Sequence, residues 1–232
     1  MKHNTDKFIK NRIYLIVRFA LIVSIIVNIF LTTFFVLSYY NATKTEVVNE
    51  MSKRIALIFW GIITFGLTYG TEYIEKKEKI DIPDILETVI VLFIYASLYL
   101  SVRFDLYYRF FWWDDLLHML SGVIIGFIGF IAIYKINNKY SMNISPLLVA
   151  TFSFTFAVTL GVLWEVLEFS SDVFLGTANQ KWNLPESEIL IGKAYQGSGL
   201  RDTMSDLIVN SIGSLITSIV TYFMYKYEKK YL

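Results

Sequence analysis

Aspartate, glutamate and a lone internal histidine crowd the ends of three apolar stretches: WWDDLLH at 112–118, LWEVLEFSSD at 163–172 and RDTMSDLIVN at 201–210. Charge in or beside lipid costs a few kcal/mol per residue. A chain that collects Asp115, His118, Glu165, Glu168, Asp202 and Asp206 there offsets that cost through metal binding, proton handling or mutual pairing. Carboxylates with one imidazole and no thiol suit Mg²⁺, Mn²⁺, Ca²⁺ or Fe²⁺, and permit Zn²⁺. A divalent metal ion held there would activate water for hydrolysis of a lipid headgroup or envelope precursor. Without an ion, crowded carboxylates share protons, which serves both proton-coupled transport and general acid–base catalysis.

Spacing organises these residues. His118 follows Asp114 and Asp115 by four and three positions, so either carboxylate can share its helix face. Glu165, Glu168 and Asp172 recur at i, i+3, i+7, and Asp202, Asp206, Asn210 and Gly213 at i, i+4, i+8, i+11. Each set makes one helical stripe. The expected catalytic residues are Glu165, Glu168 and Asp206. The expected metal ligands come from Asp115, His118, Glu165, Glu168, Asp202, Asp206 and Asn210.

Ordinary explanations compete with these. Asp114, Asp115 and Asp202 stand where helices should begin, and capping accounts for acids there. A single histidine near an interface is more often a hydrogen-bonding helix-end residue than a ligand. Glu165 and Glu168 fall at the end of a helix, where the macrodipole disfavours acids, and Asp206 lies deeper than a cap would. For these three the ordinary alternative is ion pairing with Arg201, Arg103 or Arg109.

The elements that must position the cluster are membrane helices. Of the 232 residues 55% are hydrophobic and 18% charged, and the mean hydropathy is +0.51, too apolar for a soluble domain. Absence of cysteine excludes disulfides and thiolate chemistry, and a net charge of +1 gives no reason to expect nucleic acid. A span needs roughly 20 apolar residues to cross a ~30 Å hydrocarbon core. Six stretches qualify or nearly so, at about 14–39, 55–74, 86–102, 116–134, 146–169 and 204–225. The third is short and opens with Glu87. With three prolines and no linker tract, residues 1–232 read as a single transmembrane domain, an all-α six-helix bundle.

In an alternating topology His118, Glu165 and Asp206 reach the same membrane face. With the N-terminus inside, the inner segments hold 12 Lys and Arg, including Lys229 and Lys230, and the outer segments hold 8, including Lys181 and Lys193. That bias puts both termini in the cytoplasm and the cluster on the outer face. The loop 170–202 would lie over it. Gly122, Gly126 and Gly129, with Gly161 and Ser205, read as sites of close helix approach. Arg18 reads as an interfacial anchor, Asn28 as an interhelical hydrogen-bonder, and Glu72 and Glu75 as interfacial charges.

The same pieces carry a resemblance. Asp115-x-x-His118, Trp164-Glu165-x-x-Glu168, Asp172-Val-Phe-Leu-Gly176 and Asp202-Thr-x-Ser-Asp206-x-x-x-Asn210-x-x-Gly213 resemble the YjdF-like family of bacterial inner-membrane proteins, over about the C-terminal half. Relative to that family the stretch from Gly176 to Asp202 is longer, and Leu116 stands where a basic residue is usual. A looser similarity connects them to VanZ-like membrane proteins. The resemblance implies a multi-pass protein of the bacterial cytoplasmic membrane and groups Asp115 through Asn210 as one site. It supplies no reaction. The expectation is therefore an outward-facing acidic and histidine cluster in a metal-dependent enzyme acting on a lipid or envelope substrate. The alternatives are a proton- or cation-coupled transporter and a non-catalytic envelope or resistance factor.

Overall fold

The computed structural model describes residues 2–37, 44–79, 81–181 and 198–228. Lys193, Lys229 and Lys230, counted above, lie outside them, as do residues 182–197 of the 170–202 loop. The described residues are helical with no strand, and six helices are long and apolar enough to cross a membrane. In no span is more than 39% of the most apolar window buried within the chain, which leaves the remainder for lipid. The helices fall into two compact units, Met1–Phe111 and Trp112–Leu232.

The first unit contains α1 (Lys2–Leu37), α2 (Lys44–Leu67), α3 (Gly70–Glu78), α4 (Asp84–Phe104) and α5 (Leu106–Arg109). Its core joins Tyr14, Val17 and Leu21 of α1 to Leu57 of α2 and to Val91 and Tyr99 of α4. Glu87 is fully buried, and its charge is met by Lys10, which also pairs with Asp84. Buried acid is tolerated when paired in this way, and the third span accordingly runs longer than its apolar stretch. Arg18 is more than an anchor. Its guanidinium stacks 3.7 Å from the Tyr69 ring centre, donates to the Thr68 carbonyl and pairs with Glu72. Glu75 likewise accepts from the Ile82 amide. Asn28 turns back on its own helix, donating to Ser24.

Within α4 the turn Tyr95–Leu100 is wound wide, with the Ser101 amide reaching Ala96. Such a turn frees carbonyls, which need partners in an apolar setting. Ser101 Oγ takes the Ala96 carbonyl and Tyr107 Oη that of Ser97.

The second unit holds α6 (Trp113–Tyr140), α7 (Pro146–Leu175) and α8 (Ser198–Glu228). All three exceed their apolar stretches by polar residues at their ends. Pro146 at the first turn of α7 and the Ser145 hydroxyl, accepting from the Leu148 amide, start that helix. At the α6–α7 turn Asn137 bonds the Ile144 amide and the Tyr225 hydroxyl of α8.

Close packing of α6 on α8 depends on glycine. A Cβ on Gly122 would lie 2.3 Å from the Asn210 carbonyl oxygen, and one on Gly213 would lie 2.1 Å from that of Met119. Small residues permit this backbone approach where no hydrophobic drive exists between helices. Hydroxyls then cross-link the unit: Ser153 to the Gly126 carbonyl, Thr217 to Val123 and Ser218 to Ala150.

Candidate functional site

α6 begins, α7 ends and α8 begins at the same end of the second unit, and the acidic residues meet there. Asp114 and Asp115 occupy the first turn of α6, so their carboxylates suit its dipole. Both nevertheless reach across to other elements. Asp115 accepts from the Ser205 hydroxyl of α8 at 2.7 Å, and Asp114 accepts from Lys181 at 2.6 Å. One turn deeper, His118 is buried. Its Nε2 faces Asp114 Oδ1 at 3.6 Å and Asp206 Oδ2 at 3.8 Å, and its Nδ1 faces Glu165 Oε1 at 3.7 Å.

These separations decide the chemistry on offer. Each exceeds the hydrogen-bond range, so the imidazole is held by none of the three acids. Nitrogen and oxygen ligands on one divalent ion stand roughly 3.0–3.4 Å apart at bond lengths of about 2.1 Å. One ligand atom from each of Asp114, His118 and Asp206 lies within 4.8 Å of the others. Shifts of some tenths of an ångström to about an ångström would bring them onto a shared ion. Their side chains are 13%, 9% and 2% exposed. Water therefore does little to screen them.

Glu165 and Asp206 are the anomaly. Glu165 is 5% exposed and Asp206 1%, yet both oxygens of Glu165 and Oδ2 of Asp206 have no hydrogen-bond partner among the described residues. Thr203 and Gln180 flank Glu165. The Gln180 amide donates to the Thr203 hydroxyl at 2.6 Å. That hydroxyl keeps its own proton, which a rotation would aim at Glu165, so Asp206 is the stronger anomaly of the two. An unpartnered buried carboxylate costs several kcal/mol, which a cation or a proton must offset.

The cation supplied by the chain is Lys181. Asp172 near the end of α7 accepts from the Thr177 hydroxyl and from the amides of Asn179 and Gln180. Gly176, with φ +67°, ends the helix and reverses the chain. Together they fold residues 176–181 back over the cluster, where Lys181 Nζ bridges Asp114 and Asp202 at 2.6 and 2.7 Å. Burial opposes the Lys181 charge, but the two carboxylates outweigh it and raise its pKa above the ordinary lysine value. No ion pair joins Arg201 to these acids among the described residues, and Arg103 and Arg109 belong to the other unit.

The expected residues thus separate by role. His118, Glu165 and Asp206 converge. Asp114, weighed from sequence as a helix-start acid, joins them in place of Asp115, which is bonded to Ser205. Asp202 is not a cap, because α8 starts at Ser198, and it serves Lys181. Glu168, beside Glu165, accepts from the Trp164 indole on its own helix. Asn210 donates to Ser121 Oγ and the His118 carbonyl, and its amide packs where a Gly161 Cβ would stand, 2.5 Å from Oδ1. It buttresses the cluster. Lys181 had a partial sequence signal, as a cation following the glycine-ended helix of Asp172.

Residues 22–227 match the family described as "Predicted membrane protein (DUF2238)". A Thermotoga maritima protein described only as an uncharacterized protein is 24% identical over 163 residues, covering 70% of this chain and 75% of that protein. No solved structure matches.

Proposed function

The chain belongs to the DUF2238 family of predicted membrane proteins, and from that premise we propose that the cluster is a divalent-metal centre of a membrane-embedded enzyme. Asp114, His118 and Asp206 supply the ligand atoms. The carrying observation is that Asp206 Oδ2 and Glu165 Oε1 are buried, without a hydrogen bond among the described residues, and 3.8 and 3.7 Å from the His118 ring nitrogens. A dication offsets that charge, and the donor set of carboxylates and one imidazole suits Mg²⁺, Mn²⁺, Ca²⁺ or Fe²⁺ and permits Zn²⁺.

In this reading His118 binds through Nε2 while Glu165 accepts from Nδ1–H, the arrangement that fixes a ligating histidine's tautomer. The metal would activate water, and with Glu165 engaged on Nδ1 the candidate base is Glu168, beside Glu165. The residues 1–232 act as one transmembrane domain of the bacterial cytoplasmic membrane, with both termini inside and the cluster outward. A lipid headgroup or envelope precursor is the substrate class that this position favours. The likeness to YjdF-like and VanZ-like proteins supports the same grouping of residues and adds no reaction.

A second reading rests on α8. Asp206, Asn210, Ser214, Thr217, Thr221 and Tyr225 form a buried polar stripe along it, which suits a proton- or cation-coupled transporter. It ranks second because Ser214, Thr217 and Thr221 each donate to backbone carbonyls, as helix-packing hydroxyls do. A non-catalytic envelope or resistance role is the remaining alternative. The test is elemental analysis of the purified full chain beside its Asp206→Asn variant. Metal in the parent and none in the variant is expected; a metal-free parent that also fails to take up Mn²⁺ or Zn²⁺ overturns the reading.

A further inference from the structure

The first unit contains a cavity of about 300 Å³ that the acidic cluster does not use. It opens between the later part of α1, the start of α2 and the end of α4, and three of its lining residues are cationic: Lys53, Arg54 and Arg103. Among the described residues Glu50 is the single acid lining it, paired with Arg54 at 3.1 Å. Arg54 still has its Nε buried and without an acceptor. No carboxylate of a described residue lies within 4 Å of Arg103, whose charge rests over the Phe104 ring. Lys53 reaches only an exposed Asp105 at 3.4 Å. The cavity therefore has cationic donors in excess of acceptors.

Its other lining divides by polarity. Asn28 and Ser24 of α1 are polar, and the Ser24 hydroxyl is bonded to Tyr99, which the wide turn of α4 presents. Val27, Leu31 and Leu57 are apolar. Lys53 and Arg54 stand near the start of the second span, Glu50–Glu78, and Arg103 at the end of the third, Asp84–Phe104, where a span meets the headgroup region. A free inorganic anion has no use for the apolar part, and a neutral lipid none for the cations.

We infer that this cavity binds the phosphate of an anionic lipid, with Arg54 and Arg103 on the phosphate and an acyl chain along Val27 and Leu31. Arginine suits that role because its fork matches phosphate oxygens. The full chain in detergent is titrated with dihexanoyl phosphatidylglycerol, dihexanoyl phosphatidylcholine and inorganic phosphate, and the melting temperature is followed. Saturable stabilisation by phosphatidylglycerol alone is expected. Arg103→Gln should shift the half-saturating concentration about tenfold upward, the worth of one charge-assisted hydrogen bond. Arg54→Gln should do the same, and where its lost Glu50 pair impairs folding, Val27→Trp tests the cavity by filling it without touching a charge. Equal stabilisation by phosphatidylcholine, saturation by inorganic phosphate at the same concentration, or unchanged affinity in Arg103→Gln and Val27→Trp overturns the inference.

Discussion

His118 Nδ1 lies 3.7 Å from Oε1 of Glu165, on the side of the ring away from the nitrogen that faces Asp114 and Asp206. The asymmetry separates a ligand from its support. Asp206→Asn and His118→Gln should abolish bound metal, since the first deletes the ligand charge that holds a dication and the second the imidazole nitrogen. Glu165→Gln should retain the site with affinity lowered roughly 10–100-fold, the usual cost of losing a histidine's outer carboxylate. A Mn²⁺ titration of the three variants checks this; equal loss in all three would make Glu165 a ligand.

Lys181 should be separable from metal binding. Lys181→Met leaves Asp114 and Asp202 without their cation and should destabilise the metal-free protein by about 2–4 kcal/mol, toward the lower part of the range for broken buried pairs because Lys181 is 16% exposed. The pH dependence has a definite sign. Burial would lower the Lys181 pKa, but Asp114 and Asp202 raise it above the ordinary value of about 10.4. Its contribution is therefore complete below that value and is lost as pH rises through the folded one. Thermal unfolding of parent and variant should differ by a constant amount from neutral pH to about 10 and converge above it.

The glycines of the second unit give a stability test independent of chemistry. Gly213→Ala puts a methyl 2.1 Å from the Met119 carbonyl oxygen, an overlap that only helix separation relieves. A loss of about 1–3 kcal/mol is expected, and Gly161→Ala, which meets the Asn210 amide, should lose a similar amount and disturb the cluster. Gly66→Ala, with nothing within 4 Å, should leave stability unchanged or raise it. Unfolding midpoints that rank Gly66→Ala with the other two would contradict the packing.

Six membrane helices were legible because apolar runs of span length have few other uses. The convergence of His118, Glu165 and Asp206 was legible too, since helix parity alone brings those ends together. The choice between Asp114 and Asp115 was not. Spacings of four and three residues both reach His118, and what distinguishes the two is the Ser205 hydroxyl, on a helix 90 positions away, which donates to Asp115. Lys181 was hidden for a similar reason. Its 67-residue separation from Asp114 is closed by the turn that Asp172 holds, a tertiary fact without periodicity. Glu87 misled in the opposite sense, shortening a span whose buried acid is neutralised by Lys10 from α1.

Topology has a direct check. Reporter fusions after Tyr140, between α6 and α7, and after Ala178, beyond α7, should report opposite sides of the membrane. The basic bias assigns Tyr140 to the cytoplasm. Both reporters on one side would remove α7 as a span, and an inverted pair would turn the cluster inward and end the envelope-substrate proposal.

The sharpest outcome is a crossing of stabilities. In chelator-treated protein Asp206 is a buried carboxylate with an oxygen unpartnered among the described residues and other acids around the same imidazole. Asp206→Asn therefore removes charge that Lys181, bonded to Asp114 and Asp202, offsets only from a distance. The variant should then be the more stable by about 1–3 kcal/mol. Saturating Mn²⁺ should reverse the order: an ion at one thousand times its dissociation constant adds about 4.1 kcal/mol to the parent, and the variant without the ligand charge gains nothing. A variant that is more stable in both conditions, with no ion bound, means that the carboxylates repel one another without a metal. Protons would then be the compensating charge, with Glu165 and Glu168 sharing one as a coupled pair. That result would favour the proton-coupled reading of the α8 stripe, to be checked as proton flux in liposomes carrying the parent and lost with Glu165→Gln.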